Sequence, residues 1–402
     1  MKEIVLKKNF LLFIIFLIIF AVFYLYIKHN VGNDSSVSEW LINYNGGFTR
    51  RGLGGEIAII IANLFDFSLR QSIFFIQSLF HVSFLVLVFL YLKNLKINII
   101  QLFAIFAPIF LLYPVAEIEV LGRKEMVLFL SFIVALFLCE KKNSEKYINI
   151  YYFFILPIVV LIYEQVVLFF PFFAAVAIIQ NNLNTFKKVF KNLLIIFFPS
   201  ILIFIYVFTN PLSMEGHGVM CAYLQSEFGE KCYMSAKLLV SNTIYFSTFD
   251  FVHQYAHIEH YIRYILIFLI GFFPLNLLVS KNRFLEKNNF IAKNFKPNIL
   301  FFLLYSPSIL LFIWGYDWGR WVNITYSFSI LFYIYLFKKS IISNDFRIKN
   351  NLWNSIVKKK ILISLIFFIF AFSWAPKTVI TGDLGSFPIY RIPYKAFKII
   401  NN

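Results

Sequence analysis

Apolar residues in this chain fall in long unbroken runs, parted by short polar stretches, from one end of the sequence to the other. Most runs are about 15 to 25 residues long, enough for an α-helix to cross the hydrocarbon core of a bilayer. Strands of a membrane barrel would instead alternate apolar and polar positions over about ten residues. Backbone N–H and C=O groups in hydrocarbon must be paired within the protein, so helices are the form these runs take. The pattern predicts an all-α, polytopic transmembrane bundle forming a single integral membrane domain over residues 1–402. It places 11 spans near 9–27, 70–92, 98–114, 125–139, 147–163, 165–180, 192–208, 261–280, 297–314, 322–338 and 360–375. The first run follows Lys7 and Lys8, lacks a small-x-small cleavage site and closes on Phe23, Tyr24 and Tyr26, so it reads as a retained helix rather than a signal peptide. Ile57–Phe65 is apolar but too short to span, which predicts an interfacial or re-entrant segment.

Composition agrees with a lipid solvent. Hydrophobic residues make up 60% of the chain, aromatic residues 21% and charged residues only 14%, with a mean hydropathy of +0.76. Soluble domains carry roughly 25% charged residues. The formal net charge of +17 would fit a nucleic-acid binder, but its distribution argues for another cause. With the N-terminus in the cytoplasm, the inner segments 1–8, 93–97, 140–146, 181–191, 281–296 and 338–360 hold 23 of the 37 Lys/Arg and five of the 20 acids. The remainder of the chain holds 14 basic and 15 acidic residues, so all the excess positive charge lies on one side. This asymmetry predicts an N-in, C-out topology and needs no nucleic acid as partner. The inner loops contain no glycine-rich phosphate loop, which excludes ATP-driven work of that type by this chain alone. The elaborate segments, about 28–69, 209–260, 315–321 and the tail 376–402, all fall on the outer side.

Three outer stretches carry candidate chemistry. The first, Asn43 to Glu56, reads NYNGGFTRRGLGGE; its glycines permit sharp turns and close approach, and Arg50 and Arg51 offer forks suited to phosphate oxygens. Glu39 and Glu56 flank it. The second, Glu117 to Glu125, places Glu117, Glu119, Arg123 and Lys124 in a short turn between spans, either pairing among themselves or adding to an anionic-lipid site. The third, Trp314 to Trp321, sets Asp317 and Arg320 among tryptophans and glycines, as a local ion pair in an aromatic belt or as a sugar-stacking, phosphate-binding element. Glu164 lies between two apolar runs, where a carboxylate requires a partner or a water-filled cavity. Asp250, His253, His257 and His260 share one helical face, which could bind a divalent metal or cap the next span. Cys221 and Cys232 can form a disulfide if their side is oxidising, whereas Cys139 reads as packed at an inner boundary.

Many spans with arginines and acids on outward loops resemble bacterial enzymes that handle polyprenyl-linked sugars, including GT-C-type glycosyltransferases and O-antigen or capsule polymerases. The stretch NYNGGFTRRGLGGE is also similar to one in membrane proteins of surface-polysaccharide clusters. The resemblance implies a polyprenyl-(pyro)phosphate-linked glycan as substrate, an outward-facing site in the bacterial inner membrane, membrane lipids and other polysaccharide-assembly proteins as partners, and no required cofactor. It implies an acid in the first outer loop acting as base or metal ligand, a place that Glu39 or Asp34 could fill, so a divalent metal is possible though not required. On this reading Arg50, Arg51, Arg123, Lys124 and Arg320 bind the phosphate, with Glu39, Glu117 or Asp317 as base and Glu56, Glu119, Glu164 and His257 as further candidates. A lipid-linked sugar flippase or other transporter and a non-catalytic scaffold are the alternatives; the nearly pure apolar spans and the lack of an internal repeat count against a transporter.

Overall fold

Prolines decide which of the apolar runs become continuous helices. The computed structural model describes residues 4–30, 35–237, 239–240, 256–286, 288–343, 359–380, 385–386, 393 and 397. Among these the longer helices are α1 (Lys8–Asn30), α2 (Gly52–Phe65), α3 (Leu69–Leu92), α4 (Glu125–Leu138), α5 (Ser144–Ile162), α6 (Phe170–Gln180), α7 (Phe186–Thr209), α8 (Met214–Phe228), α9 (Ile258–Lys281), α10 (Trp318–Lys338) and α11 (Lys360–Phe372). Five of them, α1, α3, α5, α7 and α9, are long and apolar enough to cross a membrane. The protein is therefore an all-α, multi-pass membrane protein. Extended structure among the described residues is limited to two-residue strand pairs and one bridge.

Two expected spans are broken. The run 98–114 forms a helix only over Ile99–Ile105, and the chain then turns until Tyr113–Ala116. Pro108 disfavours a helical Ala107 and has no N–H to donate, which accounts for the break. The run 297–314 bends through a short 3-10 turn at Ser306–Ser308, around Pro307. Carbonyls beside the first break need donors, and α10 supplies them. Asn323 Nδ2 donates to the carbonyls of Ile109 (2.8 Å) and Phe110 (3.1 Å), and the Tyr326 hydroxyl donates to Ala104 (2.7 Å). Helix α10 is buried on every side from Trp318 to Leu336, so its polar residues face protein, not lipid. It packs against α4, α6 and α9 and forms the axis of the bundle.

The helix ends define two poles. At one, Lys338 Nζ lies 2.5 Å from Glu140 and 4.0 Å over the Tyr91 ring, which joins the C-terminal ends of α10, α4 and α3. At that pole Gln180 also donates to Ser144, the last residue of α6 meeting the first of α5. The chain must therefore reverse between α5 and α6, and it does so at Tyr163–Glu164, which an extended Tyr163 begins. Glu164 stands at the hairpin tip, at the opposite pole from Lys338. The segment Ile57–Phe65 lies within the 14-residue α2, which packs on α3 and α5.

At this second pole the NYNGGFTRRGLGGE loop is held by close backbone contacts. A Cβ on Gly46 would lie 1.9 Å from the Gly216 carbonyl oxygen, and one on Gly216 would lie 2.2 Å from that of Gly46. Helix α8 is thereby seated directly on the loop. Gly46→Ala or Gly216→Ala should each cost about 1–3 kcal/mol through forced backbone separation. Gly218→Ala, on the same helix with open space around it, should be neutral or stabilising. Thermal melts of the three variants in one detergent check this; equal Tm values would contradict the contact.

Candidate functional site

A carboxylate buried near a membrane boundary requires cations, and Glu39 has three guanidiniums. Glu39 opens the short turn Glu39–Leu41, where Trp40 is anchored by donating from Nε1 to the Gly122 carbonyl at 2.7 Å. Gln77 Nε2 donates to the same oxygen at 2.7 Å, so α3 and the first loop both grip the 117–125 turn. That grip brings Arg123 Nη1 to 2.5 Å from Glu39 Oε1. Arg51 Nη1 lies 4.0 Å and Arg320 Nη2 3.9 Å from the same oxygen. Three arginines from three distant stretches thus surround one carboxylate. Its other oxygen, Oε2, is buried without a hydrogen-bond donor among the described residues.

Each arginine has a second anchor. Arg51 is the N-cap of α2 with a left-handed φ of 64°, and its guanidinium engages Glu164 through Nε (3.0 Å) and Nη2 (2.7 Å), stacked over the Tyr163 ring. Its unusual backbone is fixed by Lys124, whose Nζ donates to the Arg51 carbonyl at 2.7 Å. The tight start of α2 depends on Gly55, where a Cβ would lie 2.0 Å from the Ile42 carbonyl oxygen. Arg123 Nε donates to the Glu119 carbonyl at 3.2 Å. Arg320, one turn into α10, donates to Glu125 and Asp317 and lies over the Trp321 ring. The Tyr163 hydroxyl, 3.2 Å from Arg320, donates to Gln165 (2.8 Å) and lies 3.1 Å from Glu125.

The predicted residues now separate into groups. Glu39, Arg51, Arg123, Lys124, Glu164, Asp317 and Arg320 form one continuous network. Arg51, Arg123 and Asp317 keep 19%, 11% and 18% of their side chains exposed, against 3% for Arg320. Lys124 is fully buried. The rim is therefore Arg51, Arg123 and Asp317, with partly exposed Arg50 in the electrostatic field of Glu164, while Arg320 and Lys124 are sealed inside. Glu56 accepts from the Tyr44 N–H at 3.2 Å and so braces the glycine loop. Glu117 is buried and pairs with Lys377 at 3.4 Å. The Glu119 side chain points to the surface.

Several details were outside the sequence reading or differ from it. Glu125, the last acid of the 117–125 stretch, joins the network, and so do Tyr163, Trp40 and Gln77. The adjacent Glu164 and Glu39 could have flagged Tyr163 and Trp40, and Gln77 is marked only as a polar residue in an apolar run. The 314–321 turn offers no sugar-stacking face at Trp318 or Trp321, since both are buried. His257 caps α9: its backbone N–H donates to His260 Nδ1 at 3.0 Å. Asp34, Asp250 and His253 lie outside the described residues, as does most of the tail after residue 380. Cys221 and Cys232 form a disulfide. His217 lies beside them, but sulfurs joined to each other are not available as metal ligands. Cys139 is buried, as expected of a packed residue.

No family model, curated protein or solved structure matches this chain.

The network has a defined pH response. Burial pushes the Glu39 carboxyl up, but Arg123, Arg320, Arg51 and Lys124 together outweigh it and hold the group at about 2. Its contribution to stability is thus complete above the ordinary carboxylate value of 4.5 and is lost as pH falls toward 2. Lys124 behaves oppositely: burial, assisted by Arg51 and opposed by Glu39 and Glu164, lowers it from 10.5 to about 7. Between these values the unfolded chain holds a proton that the folded protein lacks, so stability rises with pH from about 7 to 10.5. Tm measured across that range should increase, and Lys124→Met should flatten the increase; an unchanged slope in the variant would refute the assignment.

Proposed function

We propose that the protein is a glycosyltransferase or polymerase that acts on polyprenyl-(pyro)phosphate-linked sugars during surface-polysaccharide assembly. It would work at the outer face of the bacterial inner membrane, in the 11-span, N-in/C-out topology that the charge asymmetry favours. The reading is carried by one observation: Arg51, Arg123 and Arg320 converge on Glu39, with two of the three open at a rim. Guanidinium forks bind phosphate oxygens bidentately, and a partly desolvated site strengthens them.

In this scheme an acceptor hydroxyl oxygen attacks the anomeric carbon while the bond from that carbon to the carrier phosphate oxygen breaks. The leaving phosphate takes the electron pair, and Arg51 and Arg123, with Arg50 beside them, stabilise its charge. The hydroxyl proton passes to a carboxylate. Glu39, locked among cations and held at about 2, is too weak a base for that step. Asp317, 18% exposed at the rim, is the carboxylate that an acceptor can reach, and Glu39 positions the arginines. Arg320 and Lys124 act inside the network, not on substrate. The scheme requires no cofactor.

The test is glycan chain length in the native host at matched protein level. Arg51→Ala is best paired with Glu164→Gln, because the single change strands a buried carboxylate. The Arg51→Ala/Glu164→Gln double variant and Arg123→Ala should shorten the glycan, and Asp317→Asn should slow extension by about 100-fold or more. Unaltered glycan in both arginine variants would remove the proposal. Translocation of labelled lipid-linked sugar by proteoliposomes, without glycan growth, would assign a flippase instead.

A further inference from the structure

Trp318 and Trp321, which looked suited to sugar stacking, are buried, yet a stacked aromatic pair with an exposed Phe48 ring lies on the glycine loop. The Tyr44 and Phe48 rings lie 5.2 Å apart with only 10° between their planes, and Tyr206, near the end of α7, approaches Phe48 at 5.3 Å. Phe48 is 44% and Tyr206 53% exposed. Arg50 and Arg51 follow two and three residues after Phe48, so the stack belongs to the loop that delivers both of them.

The loop is rigid for its size. Asn43 Oδ1 accepts from the Asn45 N–H at 2.9 Å, the Gly47 N–H donates to the Tyr44 carbonyl at 2.9 Å, and Gly47 has a φ of +113° that L side chains rarely adopt. Tyr44 is braced by Glu56 on its N–H and lies so close to α2 that a Cβ on Gly52 would stand 2.2 Å from its ring. Gly46 is locked against Gly216. A membrane-anchoring aromatic needs exposure and an interfacial depth. It does not need a second ring held parallel beneath it, nor a backbone fixed from both sides. A flat, preorganised apolar face on the loop that carries Arg50 and Arg51 suits a ligand with an apolar face joined to an anion. A pyranose ring, which presents C–H bonds on one face, linked to phosphate has that form.

We propose that Phe48, supported by Tyr44 and flanked by Tyr206, is a saccharide subsite that seats the sugar of a lipid-linked phosphate beside Arg50 and Arg51. This deepens, and rests on, the anion-site reading above. The subsite would set which sugar lies next to the phosphate, while the arginines bind whatever headgroup carries it.

The experiment measures binding to the full-length protein in nanodiscs of fixed lipid composition. The probes are decyl pyrophosphate, decyl pyrophosphates bearing a panel of hexoses and N-acetylhexosamines, and the matching decyl glycosides without phosphate. The wild type should bind at least one saccharide-bearing pyrophosphate more tightly than bare decyl pyrophosphate. Phe48→Ala should weaken that saccharide's binding about tenfold, leave the bare probe unchanged and keep the wild-type Tm, whereas Phe48→Trp should retain binding. The Arg51→Ala/Glu164→Gln variant should weaken both pyrophosphate probes. Equal binding of bare and saccharide-bearing probes by the wild type would overturn the subsite and leave the anion reading standing, as would equal loss of both in Phe48→Ala. Failure of bare decyl pyrophosphate to bind would overturn the anion reading; Phe48-dependent binding of a decyl glycoside would still support the subsite in that case.

Discussion

The structure of one pole depends on the cost of removing charge from water. Glu39 and Glu125 are buried carboxylates, Arg320 is a buried cation and Lys124 a buried amine, at the boundary of an otherwise apolar bundle. Each would be expensive alone, by several kcal/mol per ion. Their solution is shared partners: one Glu39 oxygen faces Arg123, Arg51 and Arg320, and Arg320 in turn faces Glu125 and Asp317. Because no single pair is complete by itself, displacing one element strands charges on the others. The first loop, the 117–125 turn, the α5–α6 hairpin tip and the start of α10 are therefore fixed in mutual register by electrostatics, where apolar packing would tolerate sliding. Such a network contributes more to specificity of arrangement than to net stability.

The same demand for partners explains the middle of the bundle. Helix α10 carries Asn323, Tyr326 and Ser329 through a region where lipid would leave them unsatisfied, and the Pro108 break and the helix's own carbonyls accept their hydrogen bonds. The Pro108 break needs exactly such donors, so a defect in one segment and an excess of polar groups in another compensate each other. Close glycine contacts do the corresponding work at the surface of the pole. Gly46 against Gly216 and Gly55 against Ile42 bring backbones nearer than any side chain allows, and Gly319 does the same for the segment around Lys377.

Helix existence was legible from apolar run length, and so were the chain reversal at Glu164 and the three charged stretches, because these depend on local composition. Helix continuity was not. Prolines in α5, α7 and α9 leave those helices intact, whereas Pro108 breaks its run and α10 donates to the carbonyls at that break. The convergence of Arg51, Arg123 and Arg320 could be framed as a geometric expectation, since all three flank the same side of predicted spans. Their division into rim and interior could not, because Arg123 and Arg320 look alike in sequence and differ only in how deeply the 117–125 turn and α10 hold them. The tryptophans misled for a related reason. Aromatic residues at a boundary serve either as core or as display, and Trp318 packs against Tyr261, Tyr264 and Phe312 while the less conspicuous Phe48 is left exposed.

A network this fully paired would seem to leave nothing for a ligand, but the pairing is uneven. Arg51 gives Nε and Nη2 to Glu164 and leaves Nη1 at 4.0 Å from Glu39, beyond hydrogen-bonding distance. Arg123 reaches Glu39 through one terminal nitrogen. A guanidinium has five N–H donors in a planar fork, so on the proposed reading Arg51 can keep its Glu164 anchor while turning another edge to an incoming oxyanion. The carboxylates then serve to hold the forks in place before the ligand arrives, which reduces the ordering cost of binding. The sealed Lys124 completes that preorganisation from below, since its bond to the Arg51 carbonyl fixes the left-handed residue on which the fork is mounted. Charge that is sealed in the interior at Arg320 and partly exposed at Arg51 and Arg123 is the electrostatic form that the proposed anion site requires.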